Sequence, residues 1–492
     1  MVTIATLQQI LKDFYLGPII EALNNQIEMV QLFEKSVLDW SGRQVVIPIH
    51  VGRNNGVAYA NESNQNPGAP GLGDTLPTAG FQTHVNLNVT ARYLYGRFSL
   101  SGPAIATAKT TANSFATYVQ SEMDGLVTDV KVTANQNMFT GGGAVGFVFE
   151  RTAVAAGTAT KRLAFSGDMS YMLALQTEAR TAGGRYFVEA GGTPAQLALK
   201  FTLLDDYSTA GPALPVVGGN TFVLAQGLTE DGVLDIHTGA GAGSAIPLNN
   251  LDVNACALVE VVGCGRYVAP NFQNGAAGLS STDWFATRIA PESQGLYANL
   301  GTQTHFGNDR SAAANAPLRS TIQCVSSATA VAPQASGLDF GRMQNMLDEI
   351  MILGGEDPDC IYVHPGMRQE YASRLTVTAT SGTTQTSTIT RNALDKPGTA
   401  DVGYSGYAFN GIPFKMSRHC GKGLMAFLKL KTWTITELQS FGMADLDGNV
   451  LSRVAGRDEF EGFVRWYYNL VCKAPNRNAI LCGIDFPGRV AV

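Results

Sequence analysis

Few residues in this chain have the type and spacing to do chemistry, and they do not converge on one reactive set. Gly141-Gly142-Gly143-Ala144-Val145-Gly146 satisfies the G-x-G-x-x-G spacing of a dinucleotide loop. That loop works only after a strand and before a helix, so that phosphate meets a helix N-terminus. Here the run follows a helical pattern and meets the negative end of the dipole, which argues against a nucleotide role. Gly421-Lys422-Gly423 has no Ser or Thr after its lysine and no glycine at the earlier position a phosphate loop requires. Asp445-Leu446-Asp447-Gly448-Asn449 is faintly like a calcium loop, but the glycine comes too early and Gly456 stands where the bidentate glutamate belongs. A hairpin turn is the simpler reading.

The six histidines, His50, His84, His237, His305, His364 and His419, show no metal-ligand spacing. No G-x-S-x-G elbow occurs. His419 and Cys420 are adjacent, and neighbours in a strand point to opposite faces. Catalytic residues, cofactor ligands and metal ligands are therefore all expected to be none, and the chain is read as a non-enzyme. The densest charge cluster is Arg453, Arg457, Asp458, Glu459, Glu461 and Arg465. It is either a solvated hairpin with weak surface pairs or an ion-pair patch between subunits.

The elements that could position these groups are unusual in length. From Pro103 to Met138, the residues Ile105, Ala108, Ala112, Phe115, Val119, Leu126, Val130, Ala134 and Met138 recur at a helical period. Ser101 is expected to cap this helix, Pro103 suits its first turn, and Gly141 to Gly143 end it. Such a helix is about 50 Å long with one narrow apolar stripe, which makes it a spine rather than a buried rod or a membrane span. The second long element runs from Phe81 to Tyr95. Phe81, Thr83, Val85, Leu87, Val89, Ala91, Tyr93 and Tyr95 alternate with polar residues, predicting one strand of roughly 50 Å. Val45 to Val51 precedes it, with a turn at Arg53-Asn54-Asn55-Gly56 and a Pro/Gly/Asn-rich stretch from Asn61 to Gly80. Together these predict a two-stranded arm. An isolated hairpin is marginal in water, so its apolar face is expected to rest on a neighbouring subunit.

The remainder is more ordinary. Residues 4–40 read as a broken helix, with Leu7, Leu11 and Phe14, then Ile20, Leu23, Ile27, Val30 and Phe33. Met169 to Arg180 reads as helix, and 183–262 as a β-rich insertion. Phe340, Met343, Met346, Leu347, Ile350 and Met351 share a helix face, followed by a short buried strand at Cys360–Val363. Met367 to Leu375 reads as helix and Thr376 to Thr390 as a Thr/Ser loop. Near the end, Leu428 to Ile435 and Val464 to Cys472 read as strands.

Composition narrows the partners. Of 492 residues, 45% are hydrophobic and only 15% charged, against a usual ~25% charged. A surface so poor in charge is expected to be covered by other copies. The net charge of −6 predicts no strong grip on nucleic acid. The seven cysteines lack C-x-x-C pairs and read as reduced, buried thiols. No signal peptide or membrane-spanning run is evident, so assembly in a cytoplasm is expected and no membrane partner. Asn61 and Asn88 match the glycosylation pattern by chance on this reading.

The order of parts resembles a family. Pro48-Ile49-His50-Val51 with Arg53-Asn54-Asn55-Gly56 and Ala60-Asn61-Glu62, then Leu347-Asp348 through Gly354-Gly355, Asp357-Pro358-Asp359, His364-Pro365, Phe409-Asn410-Gly411-Ile412-Pro413 and Asp445-Leu446-Asp447-Gly448 resemble the major capsid proteins of tailed bacteriophages. The resemblance implies an α+β, Hong Kong 97-like fold, the type also found in herpesvirus shells and encapsulin compartments. Its expected parts are an N-terminal arm (1–42), an extended β-arm or E-loop (43–100) and the spine helix with the start of the peripheral domain (101–182). The insertion (183–262), the axial domain with the remaining core (263–415) and the closing sheet of the peripheral domain (416–492) follow. It implies an icosahedral shell of pentamers and hexamers around double-stranded DNA packaged without sequence specificity. Separate scaffold, portal and decoration proteins are implied partners, and the virion the location. The expected contacts between subunits are Arg53, Tyr59, Glu62, Phe81, His84, Arg92, Arg453, Arg457, Asp458 and Glu459. Some relatives weld subunits through an arm lysine. Here no lysine occurs between Lys35 and Lys109, so clasping is expected to be non-covalent. An encapsulin-type shell, a β-rich phage tail or adhesin protein and a soluble α/β enzyme are the competing readings.

Overall fold

The protein is described from a computed structural model. It covers residues 28–57, 79–150, 160–167, 187–188, 198–203, 221–224, 233–238, 256–262, 292–324, 338–371 and 407–484, with a few residues left out inside the longer runs. The expectations for residues 4–27, the helix at 169–180, the loop at 376–390, the Asp445–Asn449 turn, Tyr59 and Glu62 lie outside these residues.

The architecture is mixed α+β. Two sheets share one core with a long helix, and a third sheet and a two-stranded ribbon attach to them. The spine helix runs Ala112–Thr140, and its expected stripe is present where side chains are described: Val130, Ala134 and Met138 are buried. It ends as expected at Gly141–Gly143, where Gly142 turns left-handed at φ 77°. Gly102 and Pro103, directly after Ser101, are helical. Ser101 is the last residue of a strand, Arg92–Ser101, and pairs with Glu459.

The central sheet contains Glu34–Ser36, Trp433–Met443, Glu459–Cys472, Ser452–Arg453 and Arg92–Ser101. Alternation in Glu459–Cys472 is as the sequence predicts, with Val464, Trp466, Tyr468 and Leu470 buried. Residues 28–36 do not continue one helix. Glu28–Leu32 is helical, Phe33 stacks on Trp433 at 5.3 Å, and Glu34–Ser36 adds a parallel edge strand to Trp433–Met443. Met29 is fully buried, and its N–H donates to Asn135 Oδ1 of the spine at 2.8 Å.

A six-stranded sheet orders Thr321–Cys324, Ala479–Cys482, Met425–Leu428, Cys360–Val363, Ile412–Met416 and Ala408–Phe409. It takes strands from both sides of position 416, so the expected boundary there cuts through one sheet. The sequence reading of Leu428 to Ile435 as one strand is corrected in the same place. A 3-10 turn at Leu430–Thr432 passes the chain from one sheet to the other. Fully buried Asn478 holds this crossing, accepting at Oδ1 from Lys429 N–H and Trp433 Nε1–H, both at 2.9 Å, and donating from Nδ2 to Thr432 Oγ1 at 3.0 Å. A polar group buried so deeply is tolerable because it is satisfied. The helix Phe340–Gly354 packs on this sheet through Met343, Met346, Leu347 and Ile350, while Met351 is largely exposed.

The seven-stranded sheet is antiparallel throughout. It contains five strands from 187–262, as the β-rich reading expects, together with Ala144–Glu150 and Thr160–Gly167. Its β-structure therefore begins directly after the spine helix rather than at 183. Cys360, Cys420 and Cys472 are free and buried, as expected, whereas Cys482 is disulfide-bonded, against that expectation. Among the described residues, no helix is long and apolar enough to cross a membrane.

Candidate assembly interface

Gln44–Gly52 and Thr83–Thr90 form a two-stranded antiparallel ribbon. The single long strand read over Phe81 to Tyr95 is two strands, broken at Ala91. Before the break odd-numbered residues face inward: Leu87, Val89 and Ala91 are buried. After it the even-numbered ones do: Gly96, Phe98 and Leu100 are buried, while Tyr93 and Tyr95 are 59% and 55% exposed. A one-residue phase change moves every side chain to the other face.

The second strand belongs wholly to its own subunit. All ten residues of Arg92–Ser101 pair with Glu459–Tyr468. Gly96 faces the spine helix, where a Cβ would sit 2.5 Å from Val130 Cγ2. Only glycine lets strand and spine approach so closely. The expectation that a sister copy must complete the whole limb is therefore corrected for residues 92–101.

Among the described residues, the ribbon is held at its root. Leu87 and Val89 are buried against Phe306, Leu318 and Val471, and Val45 is buried opposite Val89, whereas Ile47, Ile49 and Val85 farther out are half-buried. Asn88 N–H donates to Phe306 O at 3.2 Å, Asn308 Nδ2 to Asn86 O at 2.9 Å, and Asn469 Nδ2 to Thr90 O at 2.8 Å. Beneath this clamp lies a buried polar knot. His305 Nε2–H donates to Cys472 O at 2.9 Å, and Nδ1 accepts from Arg310 Nη2 at 2.8 Å. Arg310 also donates to Asn299 O. Burial, reinforced by the Arg310 cation, drives the His305 pKa well below its ordinary value, so the ring is neutral. No sequence pattern marked this knot, because its members meet only through the fold.

Of the expected contact residues, Arg53 is exposed beyond the first ribbon strand, where Asn54 Oδ1 accepts from Gly56 N–H at 2.7 Å in the expected turn. Phe81 is 81% exposed. His84 is exposed and lies directly opposite His50. Arg92 is half-buried within its own subunit, and that burial lowers its pKa. Arg453, Arg457 and Asp458 are exposed on the Ser452–Arg453 hairpin, with Arg457 Nη1 3.9 Å from Glu459 Oε2. Asp458 O accepts from Gly102 N–H at 2.7 Å, and Glu461 pairs with Arg97. Much of the charge cluster thus ties the end of Arg92–Ser101 to its own hairpin.

The sequence reading missed an aromatic face on the outer side of the central sheet. Tyr95 Oη is 2.9 Å from Tyr467 Oη, Tyr93 meets Tyr467 edge-on at 4.9 Å, and Tyr95 meets Phe463 at 6.4 Å. The hydrogen bond to Tyr467, with burial second, pushes the Tyr95 hydroxyl up to about 12. The available signal was Phe463 and Tyr467, which occupy the polar phase of an alternating strand. Among the described residues no group of three or more metal-ligating side chains occurs.

No protein-family model matches the sequence, and no curated protein matches it. Several solved structures resemble the fold at low identity. The cyanophage A-1(L) capsid asymmetric unit aligns with TM-score 0.45 and 12% identity over 98% of this chain and all of that one, which is covered 100%. The capsid of a native GTA particle gives 0.44 and 8% over 97% of each chain, and a structure from Mycobacterium phage Adephagia gives 0.38 and 9% over 98% of each. The SrpI encapsulin of Synechococcus elongatus aligns over 40% of this chain and 59% of its own, at TM-score 0.24 and 12% identity.

Proposed function

We propose that this chain is the major capsid protein of a tailed bacteriophage, with a Hong Kong 97-like fold. Copies of it assemble as pentamers and hexamers into an icosahedral shell around double-stranded DNA, which is confined without sequence specificity. The observation that carries this reading is the ribbon. It is a two-stranded arm whose apolar face is covered by its own subunit at the root and left half-open beyond it. Such an arm gains stability only by lying on something else, and a neighbouring copy is the occupant that a charge-poor surface favours.

On this reading the spine and central sheet form the peripheral domain, the six-stranded sheet the axial domain, and the seven-stranded sheet an insertion. The ribbon is the E-loop and residues 1–42 the N-terminal arm. The exposed Arg53, Phe81, His84, Arg453, Arg457 and Asp458, with Tyr59, Glu62 and Glu459, contribute to contacts between copies. Scaffold, portal and decoration proteins are separate chains, the assembled shell is the virion capsid, and the chain's role is structural. Clasping is non-covalent, since the arm has no lysine between Lys35 and Lys109.

Negative-stain microscopy of the purified protein with nuclease protection of its contents tests the proposal. Closed shells that protect DNA support it. Shells that hold a protein cargo and no DNA would transfer the chain to the encapsulin reading, and monodisperse monomers under all conditions would refute both. A ladder of covalent multimers in hot detergent would refute the non-covalent clasp alone.

A further inference from the structure

We propose that His50 and His84 form a zinc site on the arm, with two protein ligands from one subunit and water completing the coordination. In sequence the two residues lie far apart and match no metal spacing. The ribbon places them directly opposite one another in its antiparallel ladder. Both side chains are exposed on the polar face of the ribbon, opposite the face that carries Leu87 and Val89.

The geometry suits a tetrahedral ion. Directly opposed residues of an antiparallel pair have Cβ atoms about 4.5–5.5 Å apart, close enough for both side chains to reach one ion. The two imidazole centroids are 5.2 Å apart and their planes are inclined by 42°. Two imidazoles on one tetrahedral zinc, with Zn–N of about 2.0–2.1 Å, put their centroids about 5 Å apart. Imidazole is a borderline ligand that suits zinc, copper and nickel and selects against magnesium and calcium. The location also has a structural consequence. His50 adjoins the register shift between His50 and Gly52, at the poorly covered end of the ribbon. An ion bound across the two strands fixes that register, because it binds the paired ladder and not the separated strands.

The test uses full-length subunits before assembly and zinc alone as the probe. Equilibrium dialysis should show that wild-type protein retains one more zinc per subunit than either His50→Asn or His84→Asn. Loss of either ring should weaken binding by at least about tenfold, and His364→Asn should bind as wild type does. Equal zinc retention by wild type, H50N and H84N would overturn the site and leave only a ring–ring contact. A second measurement needs no variant. In the wild-type protein, zinc should protect His50 and His84, but not His364, from diethyl pyrocarbonate, read residue by residue by mass spectrometry. Modification of His50 and His84 at an unchanged rate in zinc would equally overturn the proposal. Neither result bears on whether the chain builds a shell.

Discussion

The two halves of the limb, Thr83–Thr90 and Arg92–Ser101, are adjacent in sequence, similar in length and alike in alternation, yet they have different fates. Arg92–Ser101 is locked between Glu459–Cys472 and the spine helix. Thr83–Thr90 has one strand partner, Gln44–Gly52, and a shallow apolar bed formed by Phe306, Leu318 and Val471. The difference teaches that strand length by itself does not identify an arm. What identifies it is where burial stops along the strand. The inner half is a structural wall of its own subunit, and the outer half is stable only to the extent that its root is clamped and its open face covered.

Substitutions should separate the two halves, and the largest effect belongs to the inner one. Phe98 is 7% exposed, so Phe98→Ala should cost about 3–5 kcal/mol in urea unfolding of the isolated subunit. An effect below about 1 kcal/mol would show that this strand is not fixed as described. Gly96→Val should cost about 1–3 kcal/mol, because the new side chain collides with Val130 and Leu126 of the spine.

Acid should act at the hinge between the halves. His305 is buried and neutral, with its pKa pushed well below the ordinary 6.5. The unfolded chain therefore takes up the proton first as pH falls. The stability this group contributes is complete above about 6.5 and is lost below it at up to about 1.4 kcal/mol per pH unit. Unfolding free energies measured from pH 7 down to 5 should fall along that slope, and His305→Gln should flatten it.

On the outer half, Ile49→Ala should cost the isolated subunit only about 1 kcal/mol, since the side chain is half-buried. Its larger effect should be on assembly yield by light scattering; an unchanged yield would mean that the open face of the ribbon has no partner. The smallest change is expected from Arg97→Ala. Its pair with Glu461 joins side chains that are 65% and 31% exposed, and such pairs contribute about 0.2–1 kcal/mol. The loss should shrink further in high salt.

The legible parts of this protein are those in which one periodicity meets one environment. The spine stripe through Val130, Ala134 and Met138, its end at Gly141–Gly143, the alternation of Val464 to Leu470 and the buried strand Cys360–Val363 were all readable. Where the environment changes in mid-pattern, reading failed. Ala91 interrupts a strand that composition alone makes continuous, and Leu430–Thr432 interrupts another. In both places the chain passes from one sheet to a different one, and nothing local to those residues encodes the second sheet. His50 and His84 are the same case for a site. The proposed ligands come from two strands joined by a long connection, so their separation in sequence matches no compact metal spacing.

By itself the sequence determined the repeating faces: which residues must be buried if an element forms, where glycine ends the spine, and that the arm has no lysine. Local propensity and hydrophobic period are properties of neighbouring residues, so they are written in the chain. The tertiary structure alone decided that the limb divides at Ala91, that Gly96 must be glycine, that a buried histidine and arginine underlie the arm, and that two distant imidazoles face each other. Each of these depends on long-range pairing, which fixes register and approach distance only when separate elements pack.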